Sequence, residues 1–186
     1  MNTSSYLELF IGPMFSGKTS KLVELYKQCT FCSIPVLVIN HASDTRYDDT
    51  LLSTHDQLKI ECEQMQTLDD LWTVDTPLSK KYSNAQVVLI NEGQFFEDLY
   101  GSVVKMLADG KKVYVAGLDG DFQRKKFGAI LDLIPLCDKV TKLVSLCSLC
   151  KNGTPAIFSK RLTDDKEQTV VGSANYAPVC RACYAS

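Results

Sequence analysis

Four short runs dense in β-branched and other apolar residues recur along the chain: YLELFI at 6–11, PVLVIN at 35–40, AQVVLI at 85–90 and KVYVAG at 112–117. Unbroken apolarity over so few residues marks a strand covered on both faces, as in a parallel sheet. Between these runs the apolar positions fall three and four apart. Leu22, Leu25, Tyr26 and Cys29 make one face of a helix expected over 18–30, and Leu99, Val103 and Leu107 one face of a second over 96–109. Strands alternating with helices imply right-handed β-α-β crossovers. The expected fold class is therefore α/β, an open parallel sheet flanked by helices on both faces, with ligands gathering at the carboxyl ends of its strands. His41 to Asp56 shows neither period and reads as a loop. Past about Leu143 the helical period stops, so the expected division is a main α/β domain over 1–142 and a small lobe over 143–186.

A chain of 186 residues can bury one good core, with a small second unit if something other than apolar packing holds it. Lys and Arg number 20 against 22 Asp and Glu, the net charge is −2 and the pI near 5.7, which leaves no basic footprint for nucleic acid. A small-molecule or protein partner fits better. No apolar run approaches the roughly 20 residues that span a bilayer, and MNTSSYLELF lacks the basic start and apolar core of a signal peptide. The expectation is a soluble, cytoplasmic protein with no membrane partner. In a reducing compartment paired Cys-x-x-Cys spacing points to metal rather than disulfides, which makes the eight cysteines informative.

The first candidate site is GPMFSGKT: Gly12, Pro13, Met14, Phe15, Ser16, Gly17, Lys18 and Thr19. It fits G-x-x-x-x-G-K-[ST] at every fixed position, between an expected strand and an expected helix. Gly12 and Gly17 let successive amides turn toward a β-phosphate, and the helix N-terminus adds its positive dipole end. Lys18 would reach the β- and γ-oxygens, and the Thr19 hydroxyl would bind Mg²⁺. A glycine turn with a chance lysine is the bland alternative. The motif implies nucleoside triphosphate binding, without separating a kinase from an ATPase.

Cys147-x-x-Cys150 and Cys180-x-x-Cys183 are two knuckles with 29 residues between them. Four thiolates about 2.3 Å from Zn²⁺ make a closed structural site, and such a metal would tie a sizeable loop at its base and supply the folding free energy of a unit with little core. Two unrelated pairs of buried thiols would be the alternative. Cys29-x-x-Cys32 shares the spacing but continues the apolar stripe of the first helix and reads as buried hydrophobe; Cys62 and Cys137 read as lone thiols.

LINEGQFF, residues 89–96, ends a strand with Asn91 where a metal-steadying carboxylate often stands, and with Glu92 one place later. A carboxylate there could take a proton from an attacking hydroxyl, or could be a solvated surface Glu. In DTRY, Arg46 could meet phosphate or Glu92, or pair locally with Asp44. In GLDGDFQRKKFG, residues 117–128, Phe122 and Phe127 could stack on a base, while Arg124, Lys125 and Lys126 fit a solvated charge run. His41 and His55 carry no partner spacing.

Taken in series, GPMFSGKT, DTRY, NEGQFF, GLDGDFQRKKFG, the two knuckles and the NYAPVCRACY ending resemble the thymidine kinases of the cellular, poxviral and bacterial type over nearly the whole chain. The resemblance implies ATP- and Mg²⁺-dependent transfer of the γ-phosphoryl group to the 5′-hydroxyl of thymidine, on a RecA-like P-loop domain carrying a small zinc-bound lobe. It makes Glu92 the catalytic base, sets Arg46, Asn91 and Gln94 on the phosphate side, and puts Phe122 beside the thymine, with Phe127 nearby. It further implies that the main chain of about Gln168, Thr169, Val170 and Val171, with the Tyr176 ring, holds base and sugar. Homotetramers inhibited by thymidine triphosphate are implied too. The chain departs from the family pattern at Asn91, usually Asp, at Val171-Gly172, usually paired glycines, and at Lys126, usually Pro. Asn91 keeps a hydrogen-bonding shape but loses a charge, so the expectation is an active enzyme with a weaker hold on Mg²⁺. The competing readings are a nucleotide-gated P-loop ATPase, a zinc-knuckle binding module, and a related deoxynucleoside kinase preferring deoxyuridine.

Overall fold

The structure is a computed structural model and describes residues 4–44, 51–53, 59–164, 167–168 and 175–185. Among the described residues, twelve strands and four α-helices follow in chain order. They are β1 (Tyr6–Ile11), α1 (Lys18–Phe31), β2 (Val36–His41), β3 (Leu51–Ser53), β4 (Lys59–Glu61), β5 (Glu63–Met65), α2 (Pro77–Asn84), β6 (Val87–Ile90), α3 (Leu99–Ala108), β7 (Lys112–Gly117), β8 (Lys139–Lys142), β9 (Ser145–Leu146), β10 (Pro155–Ala156), β11 (Phe158–Arg161), β12 (Tyr176–Val179) and α4 (Arg181–Ala185).

Six strands form one sheet in the order β5-β2-β6-β7-β1-β8, parallel at every pairing. The fold class is α/β, as the strand and helix pattern implied. Side chains alternate across the sheet. Leu7, Leu9, Leu37, Ile39, Val88, Ile90, Val113 and Val115 turn to one face, where Leu99, Val103 and Met106 of α3 and Tyr82 of α2 close a core. Phe10, Val38, Val87, Leu89 and Ala116 turn to the other and meet Leu22, Val23 and Cys29 of α1. The apolar runs were unbroken because both faces are covered.

Four expectations shift. His41 ends β2 and is buried rather than lying in a loop, with its ring edge-on to Phe96 at 4.6 Å. The polar stretch after it holds β3, which pairs antiparallel with β4, while 45–50 and 54–58 lie outside the described residues. The second helix starts at Leu99 instead of 96, because Gly93–Phe95 form a 3-10 turn that drops Phe96 into the core. Cys32 is exposed past the end of α1; only Cys29 of that pair is a buried hydrophobe. The edge strands β5 and β8 carried no apolar run, since an edge strand faces water along one side.

After β8 the chain forms two small two-stranded sheets, β9 with β10 and β11 with β12. Their core is slight: Cys147, Ala156, Ala177, Val179 and Cys180, with Phe158, Cys183 and Tyr184 packed against it.

Candidate active site at the carboxyl ends of the sheet

The loop after β1 turns back over its own strand. Gly12 has φ +150°, and a Cβ there would stand 2.3 Å from the Leu143 carbonyl oxygen; Gly17, at φ +84°, caps α1 in the left-handed region. No other residue fits the first position without moving backbone. The Lys18 ammonium donates to the Pro13 carbonyl at 2.7 Å, so it curls over the loop that its backbone amides would line around a phosphate. Ser159 of β11 accepts the Met14 N–H at 3.0 Å and ties this loop to the cysteine-bearing segment.

Thr19, at the start of α1, donates its hydroxyl to the Asn91 Oδ1 at 3.3 Å. Asn91 follows β6 two strands away and is held there by its N–H on the Ile39 carbonyl at 2.8 Å. Asn91 and Glu92 are both buried, at 2% and 8% exposure, so Glu92 is no solvated surface residue. Glu92 sits at φ 53°, left-handed for a non-glycine side chain. Gln94 donates to the Glu92 Oε2 at 2.6 Å and accepts the Leu118 N–H at 2.9 Å. Gln94 is therefore turned to Glu92 and to the end of β7.

On the far side of Glu92 the loop after β7 is held by Asp121, whose Oδ1 accepts the N–H groups of Gln123 and Lys125 at 2.8 and 2.9 Å. Phe127 is buried, edge-on to Phe95 at 5.5 Å. The Phe122 ring is covered by the Arg161 guanidinium, 3.8 Å from its centroid. Of the expected charge run, Arg124 lies over the Tyr184 ring at 4.4 Å, and Lys126 pairs with Asp132 at 2.8 Å on the surface. Tyr176 on β12 accepts a hydrogen bond from Arg161. Gln168 reaches Asp121 with its amide at 2.9 Å and gives its carbonyl to Arg161 at 3.0 Å. Arg46, Thr169, Val170, Val171 and Gly172 lie outside the described residues.

None of the eight cysteines forms a disulfide, and the sulfurs of Cys147, Cys150, Cys180 and Cys183 lie within 4.8 Å of one another. A tetrahedral thiolate site needs sulfurs about 3.8 Å apart, so small side-chain shifts close it. Backbone hydrogen bonds from Cys150, Cys180 and Leu149 bring the Cys147 thiol down to about 6, while hydrogen bonding to Cys180, with burial, pushes Cys183 up to about 12. Four crowded sulfurs cannot all ionise against one another; a bound cation would let them do so.

A family model described as Thymidine kinase matches residues 5–184. The chain belongs to the thymidine kinase family. It is 40% identical to the cytosolic thymidine kinase of Gallus gallus over 179 residues, 96% of this chain and 76% of that protein. It is 39% identical to the cytosolic thymidine kinase of Homo sapiens over 183 residues, 98% of this chain and 74% of that one. The thymidine kinase of Rabbit fibroma virus is 40% identical over 181 residues, 96% of each.

For a member of this family the structure adds residues that sequence patterns missed. Arg161, 8% exposed, gathers the carbonyls of Glu167 and Gln168, the Tyr176 hydroxyl and the Phe122 ring, and so links both ends of the segment 167–176 to the loop after β7. Ser159 ties β11 to the loop after β1, and Asp121 ties the loop after β7 to Gln168. A lone Arg, Ser or Asp in a short strand or turn has no spacing that announces it; only the packing brings these together.

Proposed function

We propose that this member of the thymidine kinase family transfers the γ-phosphoryl group of ATP to the 5′-hydroxyl of thymidine, giving thymidine monophosphate for DNA precursor synthesis. The observation that carries the reading is the hydrogen bond from Thr19 to Asn91, which sets the phosphate loop against the strand end bearing Glu92. Glu92 takes the proton of the 5′-hydroxyl as its oxygen bonds to the γ-phosphorus and the bond to the leaving ADP oxygen breaks. Gln94 holds the carboxylate for that task. Lys18 leaves the Pro13 carbonyl for the β- and γ-oxygens, with Arg46 beside them. Mg²⁺ with ATP would spread the developing charge, and the Thr19 hydroxyl and neutral Asn91 suit its preference for oxygen ligands and retained water.

The base and sugar lie between Phe122, Phe127 and the segment 168–176, with Tyr176 on the sugar side. Cys147, Cys150, Cys180 and Cys183 would hold Zn²⁺ as a closed structural site that ties the base of that segment. The lobe over 143–186 acts as a cover on the P-loop domain over 1–142. The protein works in the cytoplasm as a homotetramer subject to feedback by thymidine triphosphate.

The test is transfer of labelled γ-phosphate from ATP to thymidine by the zinc-replete protein, with deoxyuridine at equal concentration for comparison. Preferential labelling of thymidine is expected. ATP binding without transfer to either nucleoside would overturn the reading.

A further inference from the structure

Two amides are almost wholly buried beside the phosphate loop: Asn40 on β2 and Asn91 after β6, each 2% exposed. Asn91 Nδ2 donates to the Asn40 Oδ1 at 2.9 Å, and Asn40 Nδ2 donates to the Asp44 Oδ2 at 3.3 Å. Asp44 comes within reach because the chain turns sharply after β2, with the Asp44 N–H on the His41 carbonyl at 2.9 Å and the Ser43 N–H on the His41 Nδ1 at 3.1 Å. With the Thr19 hydroxyl on the Asn91 Oδ1, a single file of hydrogen bonds runs from the phosphate loop across two strand ends to a carboxylate.

The file has a direction. An amide can present either end, but an ionised carboxylate only accepts. Asp44 therefore fixes the Asn40 amide nitrogen toward itself, which leaves the Asn40 oxygen for Asn91. That in turn points the Asn91 oxygen at Thr19, whose hydroxyl must then donate inward. Turning either amide over would set oxygen against oxygen at one of the three contacts. Two apolar side chains of similar size would fill this buried space at no desolvation cost, so the pair is better explained by orientation than by stability.

We infer that Asp44 is a positioning residue: through Asn40 and Asn91 its carboxylate holds the Thr19 hydroxyl with the hydrogen inward and the lone pairs toward the metal bound with ATP. The inference rests on the Mg²⁺-ATP reading of the phosphate loop. It also accounts for Asn91. A carboxylate at 91 would face the Asn40 oxygen across 2.9 Å, and if Asn40 turned to meet it, the Asn40 oxygen would face Asp44. In this chain the acceptor-only group stands two links further out, and the amides carry its polarity in.

The experiment measures Mn²⁺ binding to the ATP-loaded protein by electron paramagnetic resonance, with metal-free ATP binding and thermal melting alongside. Removing an outer partner of a metal ligand typically costs about 10-fold to 100-fold in affinity. Asp44→Asn and Asn40→Leu should each weaken Mn²⁺ binding about 10-fold, and the double variant should bind no more weakly than either single one. Mn²⁺ binding by Asn40→Leu at the unaltered level would overturn the relay, leaving Asp44 to act by charge alone. So would losses that multiply in the double variant. If Asn40→Leu does not fold, Asn40→Asp replaces it: a carboxylate at 40 orients Asn91 directly, so Asp44→Asn should then have no further effect. A full loss from Asp44→Asn in that background would equally overturn the proposal. Absence of Mn²⁺ binding in the unaltered protein would overturn both the relay and the phosphate-loop reading beneath it, and so is distinguishable from failure of the relay alone.

Discussion

Glu92 holds a left-handed backbone conformation at φ 53°, which costs a non-glycine residue about 1–3 kcal/mol. The hydrogen bond from Gln94 and the tight 3-10 turn that follows hold it in place. Glu92→Gln keeps the shape and can still accept from Gln94, so the fold and ATP binding should persist while turnover falls about 10²-fold to 10⁴-fold, the usual loss for a general base. Steady-state assays beside nucleotide titration would show it, and near-normal turnover would remove Glu92 from the role. Lys18 and Thr19 stand out in the sequence through motif spacing, whereas Glu92 stands out only through its place at a strand end and the family resemblance. Gln94 was visible too, but only the fold showed its hydrogen bond to Glu92.

At the scale of elements, the loop joining β1 to α1 works because it presses on the chain beyond β8. A Cβ at Gly12 would overlap the Leu143 carbonyl at 2.3 Å. Gly12→Ala should thus destabilise the protein by about 2 kcal/mol or more, combining overpacking with an unfavourable backbone conformation, and should weaken ATP binding in parallel. Calorimetry and nucleotide titration would report both; an unchanged melting temperature would mean that the loop and Leu143 can separate freely. The central strands were legible because both faces are buried. Strands β3, β4, β5 and β8 were not, because their pairing lies at edges or in a separate ribbon where polar residues serve as well as apolar ones. The start of α3 was misjudged because Phe96 continues the apolar pattern yet packs from a turn.

Over the whole molecule, the described residues of the segment after β8 have a core of five buried residues, two of them cysteines, too small to hold itself. It meets the phosphate loop through Ser159 and the loop after β7 through Tyr184, whose hydroxyl donates to the Phe122 carbonyl at 2.6 Å. With a metal on the four cysteines, as proposed above, a strong chelator should melt this segment while the parallel sheet persists, so thymidine affinity should fall well before ATP affinity. Limited proteolysis with circular dichroism would follow the two parts. Simultaneous loss of all secondary structure would contradict a lobe that folds on its own metal site.

The sequence by itself determined the alternation of strand and helix, the G-x-x-x-x-G-K-[ST] motif, the two Cys-x-x-Cys pairs and the family, because each is written in spacing along the chain. Tertiary structure decided what depends on separate strands ending side by side. Asn40 and Asn91 stand 51 positions apart and meet only because β2 pairs with β6. Arg161 reaches Phe122 only because β11 folds back over the loop after β7. Hydrogen bonds and ring contacts act over a few ångströms and carry no period in sequence, so single polar residues acquire their partners only when the sheet is assembled.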